Sequence, residues 1–366
     1  MRICYIADGK SIHTRRWLEW FAHQGHQVAL LTDSPGEGWE ELGVSQYLIG
    51  RKEANKLVHY LLCVKDIKKF ISKWKPDILH GHFISGYGYW TELSEFHPYV
   101  LTAWGSDIYL TPKQKNISRI LTCRALKYAD LITADSHNLA EAIKELEPSG
   151  KKVELIRFGV DTDLFKPEMD KSSRKQMQDG GPGPVFISNR RLEPLYQVDM
   201  ILKAFIELAK THPSARLIIL HSGSQLTQLK ELAHQAHLDN SVLFPGELPH
   251  QALAEYLAAA DFYVSFPNSD STSASLLEAM ACGLPVIASN LPSNQEWIQP
   301  GINGWLPDPN SLESLIDSFQ VAVTSSTELL DSMGTLNRKV ILQRAKFAKE
   351  MQKMEVLYHS LLHILS

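Results

Sequence analysis

The sequence predicts an α/β protein built from two doubly wound parallel sheets. Apolar runs of four to six residues alternate with helix-period segments from one end of the 366-residue chain to the other. Most of these runs are continuous rather than alternating, which marks strands buried on both faces, as in parallel sheets covered by helices. Eleven such runs are more than one usual sheet holds, and a polar stretch that turns Gly- and Pro-rich at 158–183 breaks the alternation.

In the first half the candidate strands are 2–7 (RICYIA), 27–32 (QVALLT), 77–81 (DILHG), 99–103 (YVLTA), 131–134 (LITA) and 153–157 (VELIR). The second half offers 184–188 (PVFIS), 216–221 (RLIILH), 241–244 (SVLF), 262–266 (FYVSF) and 285–289 (PVIAS). From about 335 to 364 the chain reads as helix with no strand after it. The expected domains are 1–165, 166–340 and a C-terminal helix, 341–366, returning to the first domain. In doubly wound sheets ligands bind beyond the carboxyl ends of the strands, so function is expected in loops that follow strands, between the two halves.

Hydrophobic residues make up 44% and charged residues 21%, ordinary globular values for a chain long enough for two cores. A net charge of −4 argues against a general nucleic-acid binder, so no nucleic-acid partner is expected. Residues 1–167 carry 22 Lys+Arg and 20 Asp+Glu, whereas the remainder carries 15 and 21. Cys4, Cys63, Cys123 and Cys282 lie in or beside apolar runs without a C-x-x-C, which reads as buried, reduced thiols in a cytoplasmic protein. MRICYIADG reads as a first strand, not a signal peptide, and no run approaches the length of a spanning helix. Segments 51–75, with eight Lys/Arg against two acids, and 111–129, with five against none, have helical apolar spacing. Two readings stay open for them: a peripheral seat on an anionic membrane at its inner face, or an ordinary solvated helix face.

DSTSASLLEAMACGLP (270–285) carries the most chemistry. It follows a predicted strand, and Ser271, Thr272 or Ser273 can cap a short apolar helix that ends near Gly283 and Pro285. Free N–H groups and the positive dipole end there form a seat for phosphate. Asp270 lies just before that seat, and Glu278 lies about 8 Å further along at the helical rise. Carboxylates repel phosphate but accept hydrogen bonds from hydroxyls. The pattern therefore suits a ligand with phosphate in its middle and polyols at both ends, a nucleotide-sugar. The plainer alternative makes Asp270 a cap and Glu278 a solvent-facing residue.

From Glu278 to Pro285, E-A-M-A-C-G-L-P resembles the signature of the retaining glycosyltransferases of family 4, with Asp270 at the spacing of that pattern's first glutamate. The resemblance extends over nearly the whole chain, through SIHTRRWLEWFAHQGHQV (11–28), PDILHGH (76–82), VLTAWGSD (100–107), ADLITADS (129–136), IRFGVDTDLFKP (156–167), VLFPGEL (242–248) and EWIQPGINGW (296–305). It implies the GT-B fold, two Rossmann-like domains facing across a cleft, and transfer of a sugar from a nucleotide-diphosphate donor, UDP-linked by preference, to a glycan, lipid-linked or small-molecule acceptor. It also implies that Glu278 holds the ribose, Asp270 the transferred sugar, the amides of Ala274, Ser275 and Leu276 beyond the Ser273 cap the diphosphate, and backbone around Leu248 the base.

Three positions depart from the family pattern. In ISNRRLEPLYQVD (187–199) Arg191 is in place, but Arg190 stands where glycine is usual and Tyr196 where lysine is usual. Arg190 could replace the missing lysine, or be a surface charge beside a less stabilised leaving group. Trp104 stands where a histidine is frequent, leaving Asp107 and His13 as candidates near the sugar. No protein nucleophile is obligatory, because the leaving phosphate can take the acceptor's proton. No Asp-x-Asp occurs, and neither a metal nor another cofactor is expected. HGH (80–82) is read as structural, with its two histidines expected on opposite strand faces. There is no P-loop, and G-Y-G (86–88) is not a full dinucleotide fingerprint. The alternatives to a transferase are a nucleotide-sugar epimerase of the same fold and a non-catalytic nucleotide-binding partner subunit.

Overall fold

A computed structural model of the chain describes residues 1–114, 116–167 and 183–365. The Gly- and Pro-rich end of the expected linker lies outside the described residues. The chain divides into two compact units, Met1–Phe158 with Lys349–Ser366, and Gly159–Ala348. These divisions fall seven residues before the expected 165/166 boundary and eight after the expected 340/341 boundary.

The first unit holds a seven-stranded sheet in which every pairing is parallel. Its strands are β1 (Arg2–Ile6), β2 (Gln27–Thr32), β3 (Val44–Leu48), β4 (Ile78–His82), β5 (Tyr99–Thr102), β6 (Leu131–Ala134) and β7 (Val153–Leu155), in the order β3-β2-β1-β4-β5-β6-β7. The second unit repeats the plan with β8 (Val185–Ser188), β9 (Arg216–Leu220), β10 (Val242–Gly246), β11 (Phe262–Ser265), β12 (Val286–Ala288) and β13 (Gly304–Trp305), in the order β10-β9-β8-β11-β12-β13. In each sheet the order reverses beside its first strand, the switch point that opens a crevice at the strands' carboxyl ends. Side-chain alternation fills both faces. Val185 and Ile187 join one apolar layer with Leu277 and Met280, while Phe186 joins the other and stacks on Phe262 and Phe319 at 4.8 and 4.6 Å between ring centres.

The same alternation corrects the expectation for HGH. Residues two apart on a strand share a face, and the His80 and His82 rings stand 4.6 Å apart. Both are fully buried, among Tyr5, Trp17 and, for His80, Tyr358 of the C-terminal helix Phe347–Leu365. His80 is hydrogen-bonded to the Tyr358 and Thr102 hydroxyls. Neither ring nitrogen of His82 has a hydrogen-bond partner among the described residues. Burial, with His13 adding to it, lowers His82 to about 3.

This burial makes stability pH-dependent. Below the ordinary histidine pKa the unfolded chain binds a proton that folded His82 refuses, so stability falls as pH drops from about 6.5 toward 3. Asp107 acts in the opposite sense: burial raises it to about 6, so the folded chain holds the extra proton between there and the ordinary aspartate value. His82→Asn should therefore flatten the slope of unfolding free energy against pH, between pH 6.5 and 4.5, by up to about 1.4 kcal/mol per pH unit. Urea denaturation across that range measures it, and an unchanged slope would contradict the assignment.

Candidate functional site

Phe262–Ser265 leads into a loop ending at Asp270, and the helix Ala274–Ala281 begins four residues later. Ser273 has extended backbone and caps this helix, its Oγ accepting from the Leu276 N–H at 3.4 Å. The helix is apolar because nearly all of it is buried: Leu276, Leu277, Ala279, Met280 and Ala281 are 1% exposed or less. Glu278 lies among them at 6% exposure. A carboxylate so placed is not solvent-facing, which removes the half of that alternative that concerns Glu278. The helix stops at Gly283, whose φ of 78° lies in the left-handed region. The Gly283 carbonyl packs against the helix Thr327–Arg344 so closely that a Cβ on Gly334 would stand 2.2 Å from it.

The two arginines after β8 meet opposite fates. Arg191 is exposed, whereas Arg190 is 8% exposed and turned toward the helix N-terminus. One terminal nitrogen of Arg190 donates to Asp270 Oδ2 at 2.7 Å. The other donates to Ser273 Oγ and, at 3.2 Å, to Ser275 Oγ. The guanidinium also lies over the Tyr196 ring, 4.4 Å from its centre. Arg190 is thus not a surface charge. Burial raises the Asp270 carboxyl, and Arg190 partly offsets that.

Two residues that the sequence reading missed complete this region. The Tyr263 hydroxyl donates to Ser275 Oγ at 2.9 Å. Burial pushes its phenol up to about 12, Arg190 opposing and Glu278 adding. His221 ends the β9 segment with φ 80°, uncommon outside glycine, and its N–H donates to the Gly246 carbonyl. Burial lowers its pKa, and the Arg191 and Arg190 charges lower it further against Glu247. The signal for His221 was a polar residue at the carboxyl end of an apolar run. Tyr263 sits inside its run and gave none. Leu248 is half-buried just beyond β10, packed on the apolar layer that includes Leu276.

In the first unit His13 is half-buried, 4.4 Å from the Phe158 ring and 5.6 Å from that of Trp104. Asp107 is fully buried and accepts the Ile84 N–H at 2.8 Å and the Trp104 N–H at 3.1 Å. Its carboxylate ties together the loops after β4 and β5, and so positions backbone there. Among the described residues no group of three or more His, Cys, Asp or Glu is placed to hold a metal ion. Among them, too, no helix is long and apolar enough to cross a membrane.

Residues 169–340 match the family described as "Glycosyl transferases group 1", and residues 2–136 match "Glycosyl transferase 4-like". The N-acetyl-alpha-D-glucosaminyl L-malate synthase of Bacillus anthracis is 24% identical over 357 residues, covering 93% of this chain and 91% of the relative. A GDP-mannose-dependent alpha-(1-6)-phosphatidylinositol monomannoside mannosyltransferase of Mycolicibacterium smegmatis is 27% identical over 195 residues, 51% of each chain. Among solved structures, sucrose-phosphate synthase from Thermosynechococcus elongatus superimposes with a TM-score of 0.85 at 18% identity, covering 100% of both chains. Anabaena Alr3699/HepE in complex with UDP gives 0.82 at 17% identity, covering 98% of this chain and 100% of that one. With both halves matched and the fold shared along its full length, this chain belongs to the group 1, family 4-like glycosyltransferases of GT-B fold.

Proposed function

We propose that this glycosyltransferase draws on a nucleotide-diphosphate sugar, UDP-linked by preference, and transfers the sugar with retention of anomeric configuration. The observation that carries this reading is the N-terminus of Ala274–Ala281, where a buried arginine, two serine hydroxyls and Asp270 converge, with the buried Glu278 just over one turn further on. In this reading the diphosphate sits at the N–H groups of Ala274 to Leu276, Glu278 holds the ribose, Asp270 the sugar and the backbone near Leu248 the base. Arg191 and the helix dipole stabilise charge on the departing diphosphate. The bond from anomeric carbon to phosphate oxygen breaks, the acceptor oxygen bonds on the same face, and its proton passes to the leaving phosphate. No metal is invoked. The UDP preference is supported by the UDP and UDP-glucose held by the Anabaena relative.

The acceptor is assigned to the first unit and to a lipid-linked glycan. In support, the basic helix Lys56–Trp74 leaves Leu57, Val58 and Leu61 exposed at 69%, 41% and 59%, an apolar patch among lysines. The test offers UDP-glucose, UDP-galactose, UDP-N-acetylglucosamine and GDP-mannose with lipid extracts in vesicles with and without anionic lipid. Expected is transfer that depends on a UDP-sugar, rises with anionic lipid and gives an α-linked product by NMR. A β-linked product contradicts retention, and isomerisation of the donor without acceptor favours the epimerase.

A further inference from the structure

In the second unit Arg190, which stands where the family pattern has glycine, touches both Tyr196, which stands where it has lysine, and Asp270, which stands where it has its first glutamate. Arg190 stacks on Tyr196 and pairs with Asp270. In the structure the cation, the carboxylate and the Ser273 and Ser275 hydroxyls satisfy each other at the helix N-terminus. A guanidinium there is disfavoured by the positive end of the helix dipole, and the Asp270 carboxylate is what offsets this. An incoming diphosphate offers the same terminal nitrogens a doubly charged partner and adds favourable contacts with the helix N–H groups. Asp270 Oδ2 accepts from Arg190, so its lone pairs there are shared until the pair opens.

Resting on the proposed nucleotide-sugar reading, we propose that the Arg190–Asp270 pair is a latch coupling phosphate recognition to sugar recognition. Diphosphate takes the guanidinium from Asp270, and the released carboxylate then accepts hydroxyls of the transferred sugar. Tyr196 keeps the guanidinium plane in register through the exchange. Arg190 is therefore a cation held in reserve, and Asp270 is its competitor for phosphate before it becomes a sugar ligand.

A double-mutant cycle read by titration calorimetry with UDP, and in parallel GDP, tests this. Asp270→Asn removes the competitor and should tighten nucleoside diphosphate binding about tenfold in the native background. The same substitution should have no effect in an Arg190→Gln background. Equal tightening in both backgrounds means plain charge repulsion and overturns the latch, as does no tightening in either. No binding of UDP or GDP by the native chain overturns the donor reading together with the latch, so the two failures are distinct. Thermal unfolding without ligand checks that each variant folds. Should Arg190→Gln fold poorly, Arg190→Met keeps the packing of the stem over Tyr196 and completes the cycle.

Discussion

Arg191→Ala should lower kcat by about a hundred- to a thousandfold, the usual cost of losing a group that stabilises charge developing in the transition state. The reason lies in the division of labour between neighbours. Arg190 is held by Asp270, Ser273 and Ser275 and passes to the diphosphate as the donor binds, a ground-state contact, whereas Arg191 stands exposed at the same strand end and is assigned to the charge that develops as the bond breaks. Donor affinity should change far less than turnover, because the extra charge on the leaving diphosphate arises during bond breaking. Steady-state kinetics with the preferred UDP-sugar measure the split. A variant that loses only affinity would place Arg191 in ground-state binding.

Glu278→Gln should weaken donor binding by about ten- to a hundredfold, the range for a hydrogen bond to a charged group. Glutamine keeps the size and shape that the buried helix accommodates, so the ligand-free melting temperature serves as the structural control. The native chain should gain thermal stability with UDP, and the variant should lose most of that gain. A full gain in the variant would mean that the carboxylate serves packing and not ribose.

The contrast between what the sequence disclosed and what it hid has a physical origin. Nine of the eleven strands found from sequence are flanked on both sides in their sheets, so selection for burial writes a continuous apolar run. The two that were missed are edge strands, as β7 and β10 also are, but they lack the apolar run that revealed those two. VSQYL of β3 buries only Val44, and β13 is two residues long, too short for any pattern. The capped helix and its two acids were legible because cap, period and spacing are local. The fate of Arg190 was not, since two adjacent arginines read alike and its partner lies 80 residues away. Tyr196 looked like the loss of a cation, yet its ring seats the neighbouring one. The partners of Asp107 were hidden for the same reason: they are backbone N–H groups of two different loops, which no side-chain pattern announces.

The most direct measurement is a crystal structure of the chain with an intact UDP-sugar. It should place diphosphate at the N–H groups of Ala274 to Leu276, ribose hydroxyls on Glu278, and the sugar on an Asp270 that no longer holds Arg190. A donor bound elsewhere, or the Arg190–Asp270 pair intact beneath a bound sugar, would contradict it.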